Sequence, residues 1–316
     1  MLPTFFRTAL RSPPSPRSFY ASADSWFAMR FHLSLGSLVT STALATNIYV
    51  SSYIGTITSL QLSQSAYGGY SLKTVAVNTG SAPNPSWITL DSKKRVLYCV
   101  DEGLTVPVGS LSSYSVSASG ALTQKNRQSV VGGPVSSVIY NGGKGLALAH
   151  YTGSSVTTYT IESSGDLKSL QNFTYALEAP GPNPVRQDSP HPHQVIIDPT
   201  DSFILAPDLG ADLVRIYSID ADSSELIEST SLEVPSGSGP RHAAFLTTKE
   251  STYLFLISEL ANEVTSYEVT YGENSLSFEE VFSNSTYGTI APVGAASAEI
   301  LISVSFSYLR KGSPNS

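Results

Sequence analysis

The chain has 316 residues, of which 41% are hydrophobic and only 14% are charged. Ser, Thr, Tyr, Val and Gly are abundant, which suits β-strands and tight turns, and no long segment has the 3.6-residue periodicity of a surface helix. The net charge is −7, with +3 in the first 45 residues and −10 in the rest. A body with this excess of acidic groups repels phosphate backbones, so we predict no nucleic-acid binding.

The N-terminal region, residues 1–45, contains the three parts of a secretory signal peptide. Arg30 supplies the positive charge, a short apolar stretch runs from Leu33 to Leu44, and Ala43-Leu44-Ala45 is a cleavage site. The apolar stretch is too short to span a bilayer, so we predict no membrane span. We expect an N-terminal extension with its signal peptide at 29–45 and a secreted protein, with a cytoplasmic protein as the alternative.

Two further features bear on the compartment. The sequons at Asn172 and Asn284 are candidate N-glycosylation sites and fit an exported chain. Cys99 is the only cysteine, so no intrachain disulfide can form. It lies in a strand-like apolar run, and we expect it to be a small buried residue rather than a reactive thiol.

Four consecutive segments share one pattern, in which a proline precedes two or three strand-like runs. The anchor prolines lie 49, 58 and 48 residues apart, and a Pro-rich loop accounts for the longest interval. A period near fifty residues with about four short strands indicates a β-propeller, because stacking buries the faces that a lone blade exposes. A β-sandwich is the alternative, but it does not explain the repeat. The anchors are Pro85, Pro134, Pro192 and Pro240.

The third and fourth repeats carry three distinctive motifs. These are the run from Pro190 to Tyr217, which begins Pro-His-Pro-His-Gln, then Gly239-Pro240-Arg241-His242, and then Ser258-Glu259-Leu260-Ala261-Asn262. Together they resemble the seven-bladed β-propeller lactonase family, which includes bacterial-type 6-phosphogluconolactonase and fungal carboxy-cis,cis-muconate cyclase. The resemblance covers roughly residues 46–300 and implies an all-β propeller of this type.

A seven-bladed ring at about fifty residues per blade needs roughly 350 residues. We therefore expect a propeller domain at 46–303 with about five complete blades, followed by an irregular tail at 304–316. In this interpretation the chain is truncated at its C-terminus and forms an open arc. Such an arc exposes an apolar face and an unpaired edge, so poor solubility or recruitment of another chain would follow.

The resemblance implies three catalytic positions. His193 matches the family's histidine and suits a general base, Arg241 suits the binding of an anionic substrate or oxyanion, and Glu259 would orient His193 or pair with Arg241. A further family arginine, in a motif like Ser-Asn-Arg, has no match in this chain. The resemblance also implies a small-molecule anionic lactone or carboxylate as the ligand and no cofactor.

Five other side chains are candidates for substrate binding, because they lie beside these motifs or at what look like equivalent blade ends. His242 is among them, although strand alternation would turn it away from Arg241. A metal site at the paired histidines is not expected, because a proline separates them and no third ligand is near. We also expect Arg215 to pair with a local acid such as Asp212. The five candidates are His191, His242, Asp208, His150 and Glu102.

Three functions stay open at this point. The first is a lactonase-type hydrolase that opens a sugar lactone, in the manner of a 6-phosphogluconolactonase. The second is a cycloisomerase of the muconate cyclase type, and the third is a non-catalytic secreted propeller that binds a ligand or partner. No pattern in the sequence indicates an oligomeric state.

Overall fold

The computed structural model describes residues 45–65 and 68–303. The predicted signal peptide and the predicted tail at 304–316 lie outside the described residues, apart from the backbone of Ala45. The described chain is built from strands and turns, with one short 3-10 turn at Asn141–Gly143. Within those ranges, no helix is long and apolar enough to cross a membrane.

Nineteen described strands form five antiparallel sheets, and each sheet contains strands that are consecutive in the chain. The first sheet has three strands, and the other four sheets have four strands each. The strands are β1 (Ala45–Ser52), β2 (Thr56–Gln64) and β3 (Tyr70–Asn78) in sheet one; β4 (Pro85–Asp91), β5 (Val96–Asp101), β6 (Gly109–Val116) and β7 (Leu122–Val130) in sheet two; β8 (Pro134–Tyr140), β9 (Gly145–His150), β10 (Ser155–Ile161) and β11 (Leu167–Thr174) in sheet three; β12 (Ile196–Ile197), β13 (Phe203–Asp208), β14 (Leu213–Ile219) and β15 (Leu226–Glu233) in sheet four; and β16 (Pro240–Thr247), β17 (Thr252–Ser258), β18 (Glu263–Tyr271) and β19 (Leu276–Ser285) in sheet five.

The sheets pack against one another in sequence order. Strand β1 packs against β4, β4 against β8, β8 against β12, and β13 against β16. The first strand of each four-stranded sheet therefore lies on the inside, where neighbouring sheets converge. This serial packing of five sheets is the blade arrangement that the repeat predicted, and the predicted all-β propeller class is confirmed.

The hydrophobic core is divided into layers between successive sheets. In β13, Phe203 and Leu205 pack towards sheet five, whereas Ile204 and Ala206 pack towards sheet three. Alternate residues of a strand point to opposite faces, so a strand buried on both sides is apolar at every position. Cys99 belongs to the layer between sheets one and two, where burial raises the pKa of its thiol to about 12. It is the buried apolar residue that the sequence predicted.

A β-bulge follows the anchor proline in the inner strands. The pairing register shifts by one residue between Pro85 and Trp87, between Pro134 and Ser136, and between Pro240 and His242. The same shift separates the bridge of Pro192 with Asp208 from the pairing of Ile196 with Leu205. A bulge adds an unpaired residue and re-aims its side chain. The residues re-aimed in this way are Ser86, Val135, His193 and Arg241.

Candidate functional site

A cavity of about 530 Å³ lies where the inner ends of the sheets converge. Its walls include the bulged residue of every four-stranded sheet, which is the side chain that follows the anchor proline. Because one equivalent position is repeated in each blade, different residue types from four parts of the chain meet at one place. Ser86, Val135, His193 and Arg241 are these four residues.

A second equivalent position also faces this region. It is the residue immediately after the second strand of a blade. In each four-stranded sheet the last residue of that strand pairs with the anchor proline, so the position can be identified in every blade. Glu102 and Tyr151 line the cavity from this position, and Tyr53 does so from the end of β1. Glu259 occupies the same position in sheet five and lies beneath the surface, with 7% of its area exposed.

This register corrects the prediction for His150 and Asp208, which were taken as equivalents of Glu259. They are the residues paired with the anchor prolines, so the true equivalents are Tyr151 and Leu209. A shift of one residue turns a strand side chain to the opposite face. The structure therefore does not bring His150 and Asp208 to the cavity wall, where the predicted role in substrate binding would place them.

His150 is fully buried, away from the cavity. Its Nδ1 lies 3.0 Å from the carbonyl oxygen of Val131, and its Nε2 lies 2.8 Å from the hydroxyl of Thr157. Burial lowers the pKa of His150 to about 4, although its backbone hydrogen bonds act in the other direction. The ring is a neutral structural group between two strands.

Asp208 is also fully buried, and its carboxylate is saturated. It accepts hydrogen bonds from the backbone N–H of His191 at 2.6 Å and from Nε of Arg215 at 2.9 Å. Arg215 thus pairs with a local acid as predicted, but that acid is Asp208 and not Asp212. Asp212 instead accepts the backbone N–H groups of Gly237 and Gly239, so it fixes the turn that precedes β16.

The two histidines of the His191-Pro192-His193 motif have different surroundings. Nδ1 of His191 lies 2.8 Å from the carbonyl oxygen of Tyr151, and its Nε2 lies 3.0 Å from Asp188. Its ring stacks on the Tyr151 ring, with centroids 4.1 Å apart. The structure does not place His191 in the cavity wall, where its predicted role in substrate binding would need it; its ring packs against Tyr151, which does line the cavity.

His193 lines the cavity and is half-buried. Its ring meets Tyr151 and His242 edge-on, with centroids 5.4 and 5.2 Å away. Its Nδ1 is buried and has no hydrogen-bond partner in the described part of the chain. Burial, followed by the positive charge of Arg241, lowers the pKa of His193 well below its usual value of about 6.5. His193 is therefore a neutral imidazole at neutral pH in the wall of the cavity.

Arg241 and Glu259 form an ion pair that includes a second arginine. Nε of Arg241 lies 2.9 Å from one carboxylate oxygen of Glu259, and Nη1 of Arg186 lies 2.6 Å from the other. Of the two roles expected for Glu259, the structure shows the pairing with Arg241; its carboxylate holds arginines rather than His193. Two guanidinium groups thus share one carboxylate at this wall of the cavity.

Arg186 was missed by the sequence analysis because it follows the Pro-rich loop of the longest repeat interval. The buried side chain of Gln187 anchors that loop, donating to the carbonyl oxygen of Leu209 at 3.0 Å and accepting from the backbone of Asn183 at 3.1 Å. Nε of Arg186 donates to the Tyr151 hydroxyl at 3.3 Å. The one sequence signal was an arginine close before the Pro-His-Pro-His motif.

The opposite charge occurs on the wall formed by sheets one and two. The Tyr53 hydroxyl donates a hydrogen bond to Oε1 of Glu102, and both side chains line the cavity. Burial raises the pKa of the Glu102 carboxyl, while the hydrogen bond from Tyr53 acts against this rise. Glu102 thus lies at the cavity wall as the sequence led us to expect, and Tyr53 was not foreseen.

His242 lines the cavity next to Arg241, because the bulge breaks the alternation that would separate them. Its Nδ1 lies 3.1 Å from a carboxylate oxygen of Glu299. The segment that contains Glu299 continues the blade pattern. The backbone N–H of Ser297 donates to the carbonyl oxygen of Glu259, and the backbone N–H of Gly133 donates in the same way to the carbonyl oxygen of Glu102. Glu299 therefore occupies the next equivalent position of the ring.

Two remaining predictions concern metals and glycans. In residues 45–65 and 68–303, no group of three or more His, Cys, Asp or Glu side chains is arranged to hold a metal ion. The sequon residues Asn172 and Asn284 are exposed, on the outermost strands β11 and β19. Both positions are accessible for modification, and glycosylation stays a prediction.

Repeated blades around an inner cavity, with a histidine beside paired arginines, define a β-propeller with a polar central cavity. Residues 47–311 match the model of a family described as lactonase, 7-bladed beta-propeller. The chain belongs to this family.

Three relatives illustrate the similarity. A protein of Arthroderma benhamiae named "Probable 6-phosphogluconolactonase" is 32% identical over 74% of this chain and 59% of its own length. The 6-phosphogluconolactonase of Bacillus subtilis is 28% identical over 63% of this chain and 54% of its own length. The solved structure of a periplasmic gluconolactonase from Pseudomonas aeruginosa is 25% identical, covers 79% of this chain and 68% of its own, and has a TM-score of 0.62. This chain thus spans between half and three fifths of the two curated relatives.

Proposed function

We propose that the protein is a hydrolase that opens an anionic sugar lactone. The observation that carries this proposal is the position of His193, a neutral imidazole in the wall of a cavity that Arg241 and Arg186 also line. Lactone hydrolysis needs these two elements, a base for the attacking water and a cation for the developing oxyanion. The names of the relatives, two 6-phosphogluconolactonases and a gluconolactonase, agree with this chemistry.

The proposed reaction has two steps. His193 takes a proton from water while the water oxygen attacks the lactone carbonyl, and an arginine stabilises the negative charge on the carbonyl oxygen. The tetrahedral intermediate then collapses, the bond to the ring oxygen breaks, and the imidazolium returns its proton to that oxygen. The product is the open hydroxy acid, and the histidine is neutral again.

The arginine pair is suited to a phosphate or carboxylate on the substrate. A guanidinium presents several N–H donors in a plane and binds such groups in two-point fashion. Glu259 fixes both guanidinium groups in place, so little conformational freedom is lost when the substrate binds. Glu259 is in this proposal a positioning residue.

A muconate cyclase activity has less support in the cavity. The substrate of such an enzyme carries several carboxylates, and each one needs a cationic partner. Glu102 and Glu299 add negative charge to the same cavity as Arg186 and Arg241. A hydroxyl-rich lactone with one anionic group fits this mixture of charges better.

The proposal is tested by replacing His193 with Gln, which keeps polar contacts but removes the base. We expect kcat for 6-phosphogluconolactone to fall by about 100- to 1,000-fold, since general-base catalysis contributes rate factors of this order. The control is His150→Gln, which alters a buried histidine outside the cavity. It should lower the melting temperature and leave kcat of the folded protein within about threefold. Equal kcat for His193→Gln and the wild type would refute the proposal.

A further inference from the structure

The Tyr53–Glu102 pair is the part of the cavity that the proposed reaction does not use. Tyr53 follows β1 and Glu102 follows β5, so the two residues come from equivalent positions of neighbouring sheets. Tyr53 donates to Oε1 of Glu102, which fixes the carboxylate. The second oxygen, Oε2, accepts no hydrogen bond from any residue that the structure describes. It is an open acceptor at the wall of the cavity.

The three glutamates near the cavity differ in their partners. Glu259 is bound by two arginines, and Glu299 lies 3.1 Å from His242. Glu102, in contrast, forms no ion pair with the cations of the described chain. Its carboxylate therefore has bonding capacity left for a ligand, and it repels a negative group placed next to it.

The neighbours of Glu102 do not compete for this role. The Ser86 hydroxyl donates to the carbonyl oxygen of Pro134 at 2.9 Å, and the Trp87 indole N–H donates to that of Ser137 at 3.1 Å. Both donors are already engaged within the protein. Glu102 is thus the side chain of sheet two with a free polar atom for a ligand.

We propose that Glu102, held by Tyr53, binds the hydroxyl groups of a polyhydroxylated substrate whose anionic group lies at Arg186 and Arg241. This inference rests on the proposed function and adds to it the residue that selects the hydroxyl groups of the substrate. Hydroxyl groups donate to Oε2, whereas a second carboxylate at this wall is repelled. Glu102 is a specificity residue and Tyr53 its positioning residue.

The strength of this selection follows from the chemistry of buried polar groups. A site built to hydrogen-bond a hydroxyl discriminates against an analogue that lacks it, because the polar group of the protein loses water without gaining a partner. A carboxylate acceptor makes the loss larger than a neutral one does. The hydroxyl groups, and not only the charge, should therefore determine binding.

The test measures binding by calorimetry, so it does not depend on turnover. The probes are 6-phosphogluconate, which has the hydroxyl groups, and 6-phosphohexanoate, which has the same chain and charged ends without them. In Glu102→Ala we expect the affinity for 6-phosphogluconate to fall by about 10- to 100-fold and that for 6-phosphohexanoate to change by less than about threefold. Tyr53→Phe should lower the affinity for 6-phosphogluconate by a smaller factor, about two- to tenfold.

The matched control is Glu250→Ala, which removes an exposed glutamate at the turn between β16 and β17. It should bind both probes like the wild type. The inference is overturned if Glu102→Ala lowers the affinity for both probes by the same factor, or lowers the affinity for neither. It is also overturned if the wild type binds 6-phosphohexanoate as tightly as 6-phosphogluconate. Selective binding of the hydroxylated probe without lactone hydrolysis would refute the proposed function and leave this inference standing.

Discussion

Two walls of one cavity present different groups to a ligand, guanidinium groups on one side and an unpaired carboxylate on the other. On the side of sheets four and five, Arg186 and Arg241 share the carboxylate of Glu259. On the side of sheets one and two, Tyr53 holds Glu102, which forms no ion pair within 4 Å among the described residues, although the charge of Arg241 reaches it at longer range. The comparison teaches that the propeller fixes where a side chain points, while the residue type at each repeat sets what that wall binds.

The largest effect on this comparison is expected from Arg241→Ala. It removes a charged contact that only an anionic substrate uses, so kcat/KM for 6-phosphogluconolactone should fall by about 100-fold. For the uncharged glucono-lactone we expect a loss of less than about tenfold, from the oxyanion contact alone. Steady-state kinetics on both lactones measure the difference.

The control for Arg241→Ala is Lys249→Ala, which removes one positive charge from an exposed turn. It should leave kcat/KM for both lactones unchanged, because salt screens a surface charge that lies far from the site. Equal losses of Arg241→Ala on the charged and the uncharged lactone would contradict the role of this wall in anion binding.

A smaller effect links the arginine wall to the titration of His193. Burial is the main reason that the pKa of His193 is low, and Arg241 is the next. Removing that charge in Arg241→Ala should raise the pKa of His193 towards about 6.5 without reaching it. NMR titration of the imidazole, and the acid limb of kcat/KM, should both shift to higher pH. An unchanged pKa of His193 would show that the charge of Arg241 does not act on this histidine.

The same histidine gives a pH dependence of stability with a definite sign. The pKa of His193 in the folded protein lies below its unfolded value, so the unfolded chain binds more protons in the intervening pH range. The stabilising contribution is present above about pH 6.5 and is lost as the pH falls below it. His150 acts in the same direction, since burial lowers its pKa to about 4.

The sequence predicted the fold well because the repeat is visible in the chain itself. The anchor prolines mark the inner strands, and pairing of each proline with the end of the next strand is what the structure shows. His193 and Arg241 could be placed in the site for the same reason, as both follow an anchor proline. A periodic pattern fixes such positions without any knowledge of side-chain contacts.

The remaining parts of the site could not be read from spacing. Arg186 comes from a loop that has no counterpart in the other repeats, so alignment of the repeats does not reveal it. His150 and Asp208 were assigned to the cavity by an alignment that was one residue out of register, and one residue decides the face of a strand. The bulge beside Arg241 brought His242 into the cavity against simple alternation.

The account is tested most directly by a crystal structure of the protein with 6-phosphogluconate bound. We expect the phosphate within hydrogen-bond distance of Arg186 and Arg241, the hydroxyl groups of the sugar chain at Oε2 of Glu102, and the acid carbon beside His193. A ligand bound outside the cavity, or one with its phosphate against Glu102, would contradict the division of the cavity into an anion-binding wall and a hydroxyl-binding wall.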